Sequence, residues 1–310
     1  FGQDDSVMTV GEMSATTLEN CILYTAPDRQ ELSMAFNFHH LKVDYEAGQK
    51  WTLKAFDFEE LKRLFHTWGK EMSDHDGWSA LFLNNHDQPR ALNRFVDVEN
   101  FHNEGATMLA ASIHLSRGTP YIYMGEEIGM VDPDYDSMED YVDVESLNAY
   151  QTLLAEGQSP EAAFRIIKAK SRDNSRTPMQ WDDSANAGFT TGTPWLKAGK
   201  SYPLINVENE IKGPIFTFYQ KLIALRKELP IIAEGSYQPA YEDSPQVYAF
   251  EREWQGQKLL VLNNFYADPI TVDILPDYQN GQVLISNYEE PTVATTMTLQ
   301  AYETLAILVK

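Results

Sequence analysis

The 310-residue chain has one cysteine, Cys21, so no disulfide can form within it, and a lone thiol fits a reducing, cytoplasmic setting. Its neighbours Leu18, Ile22 and Leu23 suggest a helix face, which gives Cys21 a packing role. No apolar run of eighteen residues occurs, so no membrane-spanning helix and no membrane partner are expected. The opening stretch Phe1–Asp5 lacks the charged-then-apolar pattern of a signal peptide and reads as an interior loop. Basic residues are scarce, 24 Lys and Arg against 46 Asp and Glu, and the net charge of −22 argues against nucleic acid as a partner. Any anionic ligand would need a local basic patch to overcome that field. Internal repeats and low-complexity segments are absent as well. Apolar residues, by contrast, are plentiful: 43% hydrophobic and 12% aromatic suffice for a large domain and a smaller one.

Strand and helix patterns alternate through the first 125 residues. Val7–Val10, Leu32–Phe38, Trp78–Leu83 and Thr119–Met124 read as strands. Thr16–Thr25, Asp57–Met72 and Glu104–Ser116 read as helices, the second with Phe58, Leu61, Leu64, Phe65 and Trp68 at helical spacing. The fourth helix, Ile215–Glu228, comes late, after an insertion at about 125–213 that holds one predicted helix, Pro160–Lys170. This order predicts an α/β fold with a parallel sheet, four βα units being half of an eight-stranded barrel. A long stretch after a strand's C-terminal end suits an active-site wall. From about 236 to 310 the pattern changes to short period-two strands, with a hairpin at Gln255-Gly256, and predicts a small antiparallel β-sandwich domain. The boundary is expected near 235.

Two acids stand out. Glu12 follows Val7–Val10 with Gly11 as a turn residue, and Asp87 follows Trp78–Leu83 inside Asn84-Asn85-His86-Asp87-Gln88-Pro89-Arg90. Glycosidic cleavage needs two carboxyl groups, and acids at strand exits of one sheet could supply them; either could equally be one more solvated surface charge. A third cluster, Ser171–Trp181, sets Arg172 and Arg176 in a loop stopped by Pro178. Arg176 suits bidentate binding of a carboxylate or sugar hydroxyls, or a loop-stabilising ion pair. No His/Cys cluster has metal-ligand spacing, and no cofactor is implied.

The strings Val10–Met13, Asn84–Arg90, Gly118-Thr119-Pro120-Tyr121-Ile122-Tyr123, Gly125-Glu126-Glu127-Ile128-Gly129-Met130 and Arg172–Trp181 resemble the α-glucosidase branch of the α-amylase superfamily (glycoside hydrolase family 13). The resemblance runs to about residue 235 and more loosely through the tail. It implies a retaining glycoside hydrolase with Glu12 as general acid/base and Asp87 as the carboxylate that stabilises the transition state and orients the sugar. His86 would contact sugar hydroxyls and Arg176 would grip the terminal glucose, with Arg172 as a second candidate. The family's aspartate nucleophile, in a glycine-aromatic-arginine-x-aspartate string, has no match here, nor has its aspartate-x-x-x-asparagine-histidine string. With Glu12 at the end of strand five, the chain is expected to be N-terminally truncated and to hold strands five to eight of a (β/α)8 barrel plus the β-domain. Such a fragment of a monomeric parent is expected to be inactive and able to self-associate through its open barrel edge.

Phe38–Trp51 bears on the substrate. Two histidines and the lysines Lys42 and Lys50, in a chain this acidic, form a candidate anion site. His39-His40-Leu41-Lys42 resembles the form found in the trehalose-6-phosphate hydrolase subfamily, which implies that Lys42 and Lys50 bind a substrate phosphate. The expected ligand is a small sugar phosphate or oligosaccharide. The alternatives are an oligo-1,6-glucosidase or dextran glucosidase, and a non-catalytic amylase-like sugar-binding or interaction module.

Overall fold

The computed structural model describes residues 7–289 and 291–310. The interior-loop reading of Phe1–Asp5 lies outside the described residues. Four short strands, β1 (Val10–Met13), β2 (Met34–Asn37), β3 (Ser79–Leu81) and β4 (Thr119–Pro120), form one parallel sheet in sequence order, and helices connect them. Those helices are α1 (Leu18–Thr25), α2 (Phe58–Asp74), α3 (Ala91–Phe95) and α4 (His102–His114). The insertion carries α5 (Val144–Ala155), α6 (Pro160–Lys170) and α7 (Val207–Glu210), and α8 (Pro214–Glu228) and α9 (Pro230–Glu234) close this part of the chain.

Local chemistry accounts for most of these boundaries. In α2 the Asp57 side chain accepts the Glu60 N–H at 3.0 Å, and Glu59 and Glu60 place negative charge in the first turn. Phe58, Leu61, Leu64, Trp68 and Met72 then form a buried stripe, each worth roughly 1.5–3 kcal/mol if fully buried. Proline opens α6, α8 and α9, where a missing N–H costs nothing. Strand β4 is shorter than the expected Thr119–Met124. Pro120 cannot donate to the ladder, and after Tyr121 N–H meets Leu81 O at 2.8 Å the chain turns away. Helix α5 was not expected from the sequence. Asp143 caps it at the Ser146 N–H, but its apolar residues are scattered, with Val144 64% exposed, so the helical period is faint.

The tail is antiparallel. Strands β5 (Gln238–Ala240), β6 (Val247–Trp254), β7 (Gln257–Asn264), β8 (Ile270–Asp273), β9 (Gln282–Ser286), β10 (Thr296–Leu299) and β11 (Thr304–Val309) make a five-stranded sheet, β5-β6-β7-β11-β9, and a β8-β10 pair. Gln255 and Gly256 both have positive φ in the two-residue turn joining β6 to β7, as a hairpin of that length requires. The large sheet is buried on both faces. Val247, Ala249, Leu260, Leu262, Leu305 and Ile307 pack toward Val272 and Leu299 of the small sheet. Their alternates Tyr248, Phe250, Leu259, Val261, Ala306 and Leu308 join the core formed by the helices of the parallel sheet. Double burial makes these strands read as continuous apolar runs.

Three buried histidines sit between these layers. Burial pushes His40 down to about 3 and His66 and His114 to about 4, each with a neighbouring cation as a smaller cause. A histidine that stays neutral when folded but titrates near 6.5 when unfolded stabilises the fold above 6.5, and that stability is lost on acidification. Glu126 and Asp132, raised by burial to about 8 and about 7, act with opposite sign. The test is therefore a difference. Between pH 5 and 6, His40→Phe is expected to flatten the pH slope of unfolding free energy by about 1.4 kcal/mol per pH unit. Denaturant melts of both proteins at several pH values measure it.

Candidate active site

Glu12 is the third residue inside β1, paired with Phe36 of β2, rather than just beyond a strand at Val7–Val10 as expected. Gly11 is likewise an extended strand residue and not a turn. A Cβ there would come within 2.5 Å of Leu32, so the glycine permits close packing. Glu12 opens on a cleft of about 390 Å³ that it shares with Asn84, Asn85, His86 and Tyr123. The cleft's apolar wall is an aromatic cluster: Phe36 packs edge-on against Phe82 at 5.1 Å and Tyr121 at 4.7 Å, and Phe38 against Phe82 at 5.4 Å.

The loop after β3 is pinned at both ends. The Asn84 amide donates to Glu126 at 2.6 Å, and its carbonyl accepts the Ala91 N–H at 2.7 Å. The Asn85 side chain accepts the Asp87 N–H at 2.9 Å, a local turn that sets the direction of the aspartate. Arg90, fully buried, donates to Met124 O at 2.6 Å and lies over the Tyr123 ring. Asp87 is thereby held where the insertion reaches it. Arg176 donates from Nη2 to Asp87 Oδ1 at 2.9 Å and from Nε to His86 O at 2.6 Å. Arg172 Nη1 reaches the same carboxylate oxygen at 3.3 Å, and His86 Nε2 lies 3.4 Å from Oδ2.

Arg172 does more than flank Arg176. Its Nε donates to Asp143 at 2.7 Å and lies 3.5 Å from Glu145, whose carboxylate also accepts from Lys50 Nζ at 3.2 Å. A continuous chain of charges therefore runs from Asp87 through Arg172 and Glu145 to Lys50. The turn carrying Arg172 is fixed by Asp173, which accepts the Val142 and Asp143 N–H groups at 2.8 and 2.9 Å. Sequence reasoning missed Asp143, Glu145 and Glu126. Glu126 lies in a string quoted for the resemblance, and burial pushes it up to about 8 with Asn84 and Tyr219 as hydrogen-bond partners.

The predicted anion cluster is only partly assembled. Lys50 joins the charged chain and stacks on Trp51 at 4.8 Å, and burial lowers its pKa. Lys42 is exposed and makes no salt bridge among the described residues. His39 and His40 are not on a strand but in a 3-10 turn, His39–Lys42. His39 packs on Trp68 at 5.1 Å, and His40 is buried against Phe82 at 5.0 Å; burial lowers the pKa of both, that of His40 to about 3, so His40 is a packing group and not a cation. Phe65 of α2 and Phe82 after β3 enclose His40 in the core, and Trp68 of α2 half-covers His39, long-range contacts that the polarity of the two residues conceals in the sequence. Among the described residues no group of three or more His, Cys, Asp or Glu side chains could hold a metal ion. No helix among them is long and apolar enough to cross a membrane.

Comparison with known proteins places this geometry. Residues 1–235 match the alpha amylase catalytic domain, and residues 247–305 the C-terminal domain of the alpha-amylase SusG. The chain is 46% identical over 311 residues to a trehalose-6-phosphate hydrolase of Bacillus subtilis, an alignment covering 98% of this chain and 55% of the relative. It is 44% identical over 314 residues to an oligo-1,6-glucosidase of Halalkalibacterium halodurans, covering 99% and 56%. The crystal structure of a Bacillus licheniformis trehalose-6-phosphate hydrolase superposes with a TM-score of 0.94 at 47% identity, covering 98% of this chain and 56% of that one. The chain thus spans about half the length of the curated relatives it matches.

Proposed function

Since the chain belongs to the α-amylase family of glycoside hydrolases, we propose that it carries the acid/base and sugar-orienting side of a retaining α-glucosidase site. The observation that carries this reading is the convergence of Arg172 and Arg176 on Asp87, beside a cleft lined by Glu12 and His86. Glu12 donates a proton to the glycosidic oxygen and later takes one from water. Two guanidinium groups hold and orient the Asp87 carboxylate, which can accept hydrogen bonds from sugar hydroxyls and oppose the positive charge of an oxocarbenium-like transition state. His86 and Arg176 complete the grip on the sugar. The third carboxylate of a retaining mechanism, the nucleophile, has no matching string within the 310 residues, so the activity belongs to the whole protein.

The substrate we propose is trehalose 6-phosphate, cleaved to glucose and glucose 6-phosphate by a monomer in the cytoplasm. Relatives of both specificities match almost equally well, so overall identity does not choose between them. Lys50 supports the phosphorylated substrate because it shares Glu145 with Arg172 and so stands at the end of the ion chain that reaches Asp87. In the whole protein, Lys42→Ala and Lys50→Ala are each expected to raise KM for trehalose 6-phosphate by about 10-fold or more, the scale of a lost charged hydrogen bond. Hydrolysis of an unphosphorylated aryl glucoside should hardly change. Equal damage to both substrates, or faster turnover of isomaltose than of trehalose 6-phosphate, would favour an oligo-1,6-glucosidase instead.

A further inference from the structure

A second cleft, of about 560 Å³, lies where the 53–56 segment, α3 and α6 meet, and it shares no lining residue with the cleft of Glu12 and His86. Its charge is opposite to that of the chain as a whole. Five of the 24 lysines and arginines line it, against three of the 46 acids. Most of those acids are already neutralised. Asp44 accepts from Arg94 at 2.8 and 3.1 Å and from Lys170 at 2.8 Å, and Asp134 pairs with Lys168 and Lys200. The remaining acid, Asp132, is pushed up to about 7 by burial, which weakens its repulsion of an anion near neutral pH. Lys54 and Arg165 line the cleft, are exposed, and form no salt bridge among the described residues. On its floor, Arg94 has a side chain only 4% exposed, and its Nη1 is buried without a hydrogen-bond partner although Nε and Nη2 are satisfied.

We propose that this cleft is a binding site for a small phosphate monoester. Lys54 and Arg165 neutralise its two negative charges, and Arg94, whose Nη1 has no partner, adds positive charge from beneath them. The apolar side chains of Leu53 and Phe56 give the ester's organic part a wall, which a bare inorganic ion would not use. Concave basic surface in an otherwise acidic protein also concentrates anions locally. The proposal stands independently of the reaction assigned above.

Calorimetric titration of the 310-residue chain with glucose 6-phosphate, inorganic phosphate and glucose tests it. Saturable binding of glucose 6-phosphate is expected, with inorganic phosphate weaker and glucose silent. The double variant K54E/R165E changes two exposed side chains, and its circular dichroism spectrum and Tm should match those of the parent. It should weaken binding of glucose 6-phosphate by at least 10-fold, and K54Q/R165Q should give a smaller loss in the same direction. Any glucose 6-phosphate held at the proposed substrate-phosphate position is lost in Lys50→Ala, so the titrations are repeated in that background, where saturable binding removed by K54E/R165E should persist. Absence of saturable binding would overturn the proposal, as would binding lost in Lys50→Ala but kept in K54E/R165E.

Discussion

Replacing Glu12 with glutamine in the whole protein is expected to lower kcat for trehalose 6-phosphate by about 10²–10⁴-fold, the usual contribution of a positioned general acid/base. Glutamine keeps the shape and the strand pairing, since Glu12 meets Phe36 of β2 through the backbone ladder and not through its carboxylate. The loss should depend on the leaving group. A sugar hydroxyl leaves poorly without a proton, whereas a nitrophenolate needs none, so an activated aryl glucoside should lose far less in its first step. Pre-steady-state kinetics on the two substrate types read this directly. A uniform loss on both would reassign Glu12 to binding or orientation.

The second large effect concerns stability. Asp44 is buried between two cations, Arg94 of α3 and Lys170 at the end of α6, and so ties the loop after β2 to the insertion. Asp44→Asn removes the only carboxylate that either cation contacts among the described residues and leaves two buried positive charges facing each other. Breaking a buried ion pair by removing one partner costs about 3–5 kcal/mol. Denaturant unfolding of the variant should show a loss of that order. Burial alone would raise the Asp44 pKa, but Arg94 and Lys170 outweigh it and hold the carboxyl below its ordinary value. The stabilisation from Asp44 is therefore complete above about pH 4 and is lost as the pH falls through the lower folded value. The gap between parent and Asp44→Asn should accordingly narrow in acid. A gap that stays constant down to pH 2 would mean that packing, not charge, holds the loop.

What local chemistry dictates was legible in the chain. Strand-like and helical patterns identified the parallel strands, α2, α4, α6, α8 and the antiparallel tail: α2 and α6 bury one regular face, whereas α4 and the central tail strands are buried all round and are legible as apolar runs. Strand ends were less legible: β1 lies three residues later than expected, since its partner β2 pairs with Val10 to Met13, and register is set by a distant strand and not by the local apolar run. Helix α5 escaped because its partly exposed surface carries no clear period. The strings around Glu12, His86-Asp87 and Arg172–Arg176 pointed to sugar chemistry through their resemblance to the α-glucosidase branch, whereas the residue types alone left surface charge and a loop ion pair open.

The tertiary structure alone decided how those segments meet. Arg172 and Arg176 are 85 and 89 residues from Asp87, and no periodicity predicts that both reach one carboxylate oxygen. Long-range packing also separated the two halves of the expected anion cluster, burying His40 against Phe82 and stacking a half-buried His39 on Trp68 while drawing Lys50 into the ion chain of Glu145 and Arg172. The physical reason is common to both outcomes. Secondary structure follows from backbone bonding and side-chain period over a few residues, whereas the charge state and direction of a polar group depend on which distant groups desolvate it and which hydrogen-bond it. By itself the sequence determined the elements and the class of chemistry; the fold decided which charges are paired, which are buried, and which remain free to meet a ligand.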